Sequence, residues 1–202
     1  MQQSPAHARI DPMYALAEPQ ITRHRLSVED YHRMAAAGIL HEDDRVELIE
    51  GEIIDMAPAS SWHAGTVAWL TRLLHDAVGQ SAIVSVQNPV RLDRYSEPQP
   101  DLALLRPRED YYTRSHPGPG DVLLIVEVAQ SSLAYDLKLK VPLYARHGIP
   151  EVWVWDVDTG TVHVCRNPEG GVYREIEPHT GACSLSPLLL PGISITVQPI
   201  AP

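Results

Sequence analysis

The sequence predicts an α/β (α+β) protein, a mixed central β-sheet flanked by helices in a single domain. Three observations predict it. Stretches with strand-like and helix-like apolar spacing interleave along the chain. The run Val122 to Val128 is almost wholly apolar, as in a strand covered on both faces. At 202 residues, one compact core is the default.

Residues 1–22 mix Gln, Ser, His and three prolines without periodicity and read as a flexible N-terminal arm, with the domain over 23–202. Ser27 ahead of Val28-Glu29-Asp30 supplies an N-cap and an acidic first turn for a short helix that stops at Gly38. His41 to Asp44 then reads as a solvated loop. Val46, Leu48 and Ile49 before Glu50-Gly51, and Ile53 and Ile54 after it, predict two short strands joined by a turn. From His63 to Val78, the residues Val67, Leu70, Leu73, Leu74 and Ala77 fall at helical spacing, and Gly79 is the natural stop.

Strands are expected over Ala82 to Val86, Val90 to Leu92, Leu102 to Leu105 and Val122 to Val128. Pro107 to Gly120, with its Pro and Gly punctuation and two tyrosines, reads as an exposed loop able to contact a substrate. Leu133, Leu137, Val141 and Tyr144 form a second helical stripe, which Pro142 must kink or restart. Three more strands follow, over Val152 to Trp155, Val162 to Cys165 and Val172 to Ile176. Trp153 and Trp155 share one strand face and should cover the sheet. The Pro-rich tail after Leu190 reads as a surface wrap.

Apolar residues at 44% and charged residues at 21% are ordinary globular usage, which excludes a disordered or fibrous chain. No run is long enough to span a bilayer and no basic-then-apolar leader is present, so a cytoplasmic, membrane-free protein is expected. Two cysteines outside any CxxC pattern exclude a disulfide scaffold and a zinc ribbon. The net charge of −10 opposes high-affinity, non-specific nucleic-acid binding. Carboxylates gathered to bind a metal, however, count as negative only until the metal arrives.

The chemistry is concentrated in a few carboxylates. Asp101, after Pro100, opens one expected strand and Glu127 ends the next strong one, so both can occupy neighbouring strand positions and converge on a hard cation such as Mg²⁺. The backbone carbonyl of Val128 can add a ligand. Lys138 and Lys140 lie on the following element, where either ammonium can reach back over the ion and supply fixed positive charge. Glu47 lies in the first strand.

Several segments together carry a family resemblance. They are Val46-Glu47-Leu48-Ile49-Glu50-Gly51-Glu52, Ser60-Ser61-Trp62-His63, Pro100-Asp101, Val126-Glu127-Val128 with Ser131, Asp136-x-x-x-Lys140-x-x-x-Tyr144, and Gly148-Ile149-Pro150-Glu151-Val152-Trp153. From Arg25 to about Val164 the chain resembles the Uma2 family (DUF820) of restriction endonucleases, within the PD-(D/E)xK nuclease superfamily.

The resemblance implies a restriction-endonuclease-like fold and a magnesium-dependent endodeoxyribonuclease, a hydrolase with Mn²⁺ as a possible substitute and no organic cofactor. Carried over, the catalytic set is Asp101, Glu127, Lys140, Glu47 and His63, and the metal set is Asp101, Glu127, Val128 and Glu47. The usual lysine position, two residues after the second acid, holds Ala129, so the role passes to Lys140, the family's migrated lysine, with Lys138 as substitute. DNA is the implied substrate and a homodimer the implied assembly.

Each of these residues also has an ordinary structural reading. Glu47 can be a solvent-facing strand residue beside Arg45, and His63 can hydrogen-bond a loop rather than orient water or touch a phosphate. Asp136 reads as a helix cap and Tyr144 as core with a satisfied hydroxyl. His163, Cys165, His179 and Cys183 offer two nitrogens and two sulfurs for zinc, at a spacing that fits no common finger. The competing function is a nuclease-fold module with weak or no catalysis, acting in nucleic-acid binding or dimeric protein interaction.

Overall fold

The structure is a computed structural model that describes residues 22–41 and 43–198. Apart from Thr22, the expected N-terminal arm lies outside the described residues. Helix α1 (Val28–Ala36) begins at a capping box: Ser27 Oγ accepts from the Asp30 N–H at 3.1 Å, and the Asp30 carboxylate accepts from the Ser27 N–H at 3.0 Å. Strands β1 (Val46–Ile49) and β2 (Glu52–Asp55) form an antiparallel hairpin. Its two turn residues, Glu50 and Gly51, have φ of 52° and 84°, a mirror-image turn whose twist matches the strands. A Cβ on Gly51 would lie 2.6 Å from Arg25 Cβ, so only glycine fits there.

Helix α2 (Ser61–Val78) is capped by Ser60 and stops at Gly79, as its apolar spacing predicts. The main sheet contains β3 (Ile83–Val86), β4 (Leu102–Leu105), β5 (Val122–Ala129), β6 (Glu151–Asp156), β7 (Thr161–Glu169) and β8 (Val172–Thr180), in that order. All neighbours are antiparallel except β5 and β6. That parallel pair needs a crossover, and the helical segment after β5 provides it.

This crossover is not one regular helix. A short turn α3 (Leu133–Tyr135) leads into a π-helical segment, Asp136–Lys140, and then into α4 (Val141–Arg146). Pro142 has no N–H to give a carbonyl one turn back. The wider π turn, closed by the Val141 N–H on the Asp136 carbonyl, lets the helix restart with Pro142 in its first turn. Of the two readings of Pro142, the restart is the one the structure bears out: the regular helix begins there, after an extra residue wound into the preceding turn.

Strand alternation sends side chains to two cores. On one face of the sheet, Leu124, Val126, Val128, Trp153 and Trp155 pack with Val67, Leu70 and Leu74 of α2. On the other, Ala103, Ile125, Ala129, Val152 and Val154 pack with Leu143 and Tyr144 of α4 and Ile49 of β1. The tryptophans are thus core, as expected.

Two expectations fail. Val90 to Leu92 is not a strand: the Val90 and Leu92 N–H groups bond locally, to Pro98 O at 2.9 Å and Ser96 O at 3.0 Å. Its apolar residues fill the α4-side core without joining a ladder, so burial and not sheet pairing selected them. The tail after Leu190 is not a surface wrap either. Ile195–Val197 forms β10, which pairs with β9 (Cys183–Leu185) and buries Ile195 and Val197 in the α2-side core. Among the described residues His163, Cys165, His179 and Cys183 form no metal-binding group; Cys165 packs in one core and Cys183 against the other.

Candidate active site

The alternation that fills the cores also places the carboxylates. Leu102 and Leu104 of β4 face α2, so Asp101 and Ala103 face the opposite side. On β5, Glu127 stands between Ile125 and Ala129 on that same side. The antiparallel register pairs Leu102 with Val126, which makes Asp101 and Glu127 cross-strand neighbours. Their proximity is direct: the Asp101 N–H points at Glu127 Oε2 at 3.4 Å, and Asp101 Oδ2 accepts from the Val128 N–H at 2.9 Å.

The π-helical segment closes over this pair. It turns Asp136 and Lys140 inward, 4% and 5% exposed, while Lys138 stays at the surface. Lys140 Nζ lies 3.2 Å from Glu127 Oε1 and 3.3 Å from Glu47 Oε2. Geometry thus separates the two lysines that spacing left open. Glu47, inward from β1 and 2% exposed, also accepts from the Tyr135 hydroxyl at 3.0 Å and from the Gln99 N–H at 3.0 Å. It pairs with Lys140 and not with Arg45.

The residues line a cleft of about 300 Å³ bounded by β2, the start of α2, the end of β5 and the π segment. Of the residues expected from sequence, Asp101, Glu127, Val128, Lys140, Glu47 and His63 all line it. They do not form one symmetric cage. Among the described residues, Glu47, Asp101 and Glu127 do not bring an oxygen each within 4.8 Å of one another, and Lys140 stands between Glu47 and Glu127. His63 Nε2 faces Asp101 Oδ2 at 3.2 Å, and its Nδ1 is buried without a partner, so neither ring nitrogen is turned to the open cleft.

Four carboxylates, from Glu47, Asp101, Glu127 and Asp136, share one buried ammonium, and the electrostatics record the shortage. Burial, with Asp136 and Asp101 adding repulsion against the pull of Lys140, pushes the Glu127 carboxyl up to about 8. Burial likewise raises Asp136. Asp101 goes the other way: burial opposes its charge, but His63, the Val128 N–H and Lys140 outweigh it and hold the carboxyl below its usual range. Burial disfavours the Lys140 charge, yet the carboxylates around it, Glu127 and Glu47 foremost, raise it above an ordinary lysine. The His63 pKa is raised by its bond to Asp101.

Two groups in the site, Tyr144 and Asp136, were read from sequence as structural, and a third, Tyr135, was not singled out. Tyr144 is fully buried with a satisfied hydroxyl, as read, but its partner is Glu127 Oε1 at 2.6 Å. Asp136 accepts from Ser132 Oγ at 2.7 Å, as a cap would, yet it is buried in the cleft wall. Tyr135 binds Glu47. A signal for two of them was present: Asp136, Lys140 and Tyr144 recur every four residues, placing polar groups along one face of an apolar stripe.

A mixed sheet with paired acids on adjacent strands and a lysine from the crossover helix defines a protein of the nuclease-like α+β class. The chain belongs to the Uma2 family, whose sequence model, described as "Putative restriction endonuclease", matches residues 28–198. Among solved structures it is similar to a "putative nuclease belonging to DUF820" from Anabaena variabilis ATCC 29413. The two share 18% identity, the match covers 81% of this chain and 89% of that one, and the TM-score is 0.61. That likeness shows the fold. No curated protein matches. No described helix is long and apolar enough to cross a membrane.

Proposed function

We infer that the chain is a metal-dependent endonuclease that hydrolyses DNA phosphodiester bonds, with Asp101, Glu127 and the Val128 carbonyl holding Mg²⁺ or, in its place, Mn²⁺. The observation that carries this reading is the surplus of acid over base in the depth of one cleft: four carboxylates around a single buried lysine, with the exposed Asp55 and Arg45 at its rim offsetting each other. A dication corrects that imbalance, and an all-oxygen donor set with open space for waters fits a hard ion. When bound, it supplies an activated water and neutralises charge on the phosphoryl oxygens.

The chain's own residues perform the remaining tasks. The Val128 N–H and His63 fix Asp101 in its ionised form, so His63 is a positioning residue. Lys140 stays protonated across ordinary pH and is an electrostatic group near the scissile phosphate, not a general base. Glu47 anchors Lys140 and the Gln99 backbone, which fixes the ammonium against the cleft floor. Tyr144 orients Glu127. Two chains, one site per strand, complete a double-strand cut, in a cytoplasmic setting where DNA is within reach.

Supercoiled plasmid incubated with the tag-free protein tests this. Nicking that requires Mg²⁺ or Mn²⁺ and disappears in Asp101→Ala and Glu127→Ala is expected. Intact plasmid with wild-type protein and either metal, or full activity in both variants, overturns it. A single-chain mass in solution, with and without DNA, removes the dimer.

A further inference from the structure

Away from the acidic cleft, the structure gathers a second set of ligating side chains from three separate segments. His32 comes from α1, Glu97 from the segment leading to β4, and His116 from the exposed loop of residues 107–120. One ligand atom from each lies within 4.8 Å of the other two. None of the three lines the acidic cleft.

Glu97 is the unusual member. Its backbone is pinned to β1, the Glu97 N–H donating to Leu48 O at 2.8 Å, and the residue is only 3% exposed. Oε1 lies 2.6 Å from His32 Nε2. Oε2 is buried and has no hydrogen-bond partner. Leaving a buried carboxylate oxygen without a donor is costly, and one histidine on the other oxygen does not remove that cost. The His116 ring meanwhile stands edge-on to that of His32, with centroids 6.2 Å apart. Neither ring is buried, so both can turn without disturbing a core.

We propose that His32, Glu97 and His116 form a second metal site, of the zinc class, that clips the 107–120 loop to α1. Two imidazoles and a carboxylate suit borderline cations such as Zn²⁺ or Co²⁺ and give Mg²⁺ little reason to bind. Ligand atoms around a tetrahedral Zn²⁺ stand roughly 3.3 Å apart, from metal–ligand distances near 2.0 Å. The 2.6 Å between His32 Nε2 and Glu97 Oε1 must open to that spacing, and the His116 nitrogen, within 4.8 Å of both, must settle to it; rotation of two exposed rings supplies these movements. Three protein ligands leave a fourth position for water. The loop is already tethered at its far end, where the Arg91 N–H donates to Pro117 O at 2.9 Å, so His116 is presented from a held backbone.

The test uses the tag-free full chain carrying Asp101→Ala, which removes the acidic cleft as a competing sink for metal. Equilibrium dialysis against Zn²⁺ should find one tightly held ion per chain, and Co²⁺ should give the intense visible bands of a four-coordinate N/O site. Adding His32→Ala or His116→Ala should weaken Zn²⁺ binding at least about tenfold, and millimolar Mg²⁺ should not compete. His116 is exposed, so its loss leaves folding intact; His32→Ala strips the buried Glu97 of its bond to Oε1 and Glu97→Gln changes a buried group, so both are judged only after a thermal melt is shown to be cooperative. Zn²⁺ should also slow tryptic cleavage after Arg114, and fail to do so in His116→Ala. Unchanged Zn²⁺ affinity in the His32→Ala, His116→Ala pair, no tight Zn²⁺ in the parent chain, or cleavage at Arg114 indifferent to saturating Zn²⁺ each overturns the proposal. None of these readouts involves DNA cleavage.

Discussion

Two buried glutamates on adjacent strands illustrate how differently the same side chain can be housed. Glu151, at the start of β6, is fully buried and fully matched: Oε1 accepts from Trp153 Nε1 and Arg166 Nε, both at 2.8 Å, and Oε2 from the Leu188 N–H at 2.5 Å. Glu127, on the parallel neighbour β5, is 2% exposed, and its Oε2 has only the long contact from the Asp101 N–H. Glu151 has an arginine to itself, whereas Glu127 divides one lysine with three other acids. A buried carboxylate answered by the protein is architecture. One left short of donors beside open space has room for a ligand from outside the chain, which is the role proposed for Glu127.

That contrast is broken or kept by exchanging each acid for its amide. Glu127→Gln should abolish metal-dependent nicking, by about 10³-fold or more, while the metal-free protein melts no lower than wild type because the cost of keeping that buried carboxyl protonated is gone. Glu151→Gln should do the reverse. Arg166 and two N–H donors lose a charged acceptor, at a cost on the order of 3 kcal/mol to stability, with nicking at low temperature retained within a few-fold. Plasmid assays paired with urea titrations read both effects. If Glu151→Gln kills activity in a folded chain, or Glu127→Gln cleaves normally, the distinction between the two sites is lost.

Exchange of lysines comes next in size. Lys140→Met removes the buried ammonium that the four acids share and should slow nicking at saturating Mg²⁺ by about 10²-fold. Lys138→Met, at the surface, should stay within a few-fold of wild type. Equal losses from the two would mean that the geometry around Lys140 is structural.

The contrast also explains what could and could not be read in the sequence. The Ser27 cap, the Glu50-Gly51 turn and the α2 stripe are local devices, and each is legible because a few neighbouring residues decide it. Asp101, Glu127 and Lys140 were legible as a set through family resemblance, and their shared face follows from strand alternation. What could not be read depends on contacts distant in the chain. Val90 to Leu92 is apolar because α4 and the sheet cover it, not because it pairs. Ile195 and Val197 are core because β9 lies beside them. Pro142 announced an irregularity, but only the wound-in π residue reveals that it aims Asp136 and Lys140 together.

A smaller effect comes from titration. Glu127 ionises near 8 in the fold against 4.5 for an ordinary glutamate, so between those values the native state keeps a proton that the unfolded chain has released. Stability of the metal-free protein should therefore fall as pH rises from about 4.5 to 8 and level off above, by up to a few kcal/mol from this group. Glu127→Gln should flatten that part of the slope. In the proposed site Mg²⁺ would act in the opposite sense, since it must displace the proton to bind. The rise in melting temperature on adding Mg²⁺ should be larger at pH 8 than at pH 6. A wild-type slope identical to that of Glu127→Gln would show that Glu127 is ionised throughout.

The smallest change separates orientation from charge. Tyr144→Phe removes the hydroxyl that donates to Glu127 Oε1 but leaves the ring that fills the α4-side core. One hydrogen bond to a carboxylate is worth about 1–3 kcal/mol. Part of that is recovered because Lys140 already contacts the same oxygen. Nicking should fall by about 3- to 10-fold, with a matching rise in the Mg²⁺ concentration for half-maximal rate. The Mg²⁺ requirement is the discriminating readout: a merely loosened core would lower the melting temperature and leave it unchanged, whereas a misdirected Glu127 shifts it in a chain whose melt is little altered.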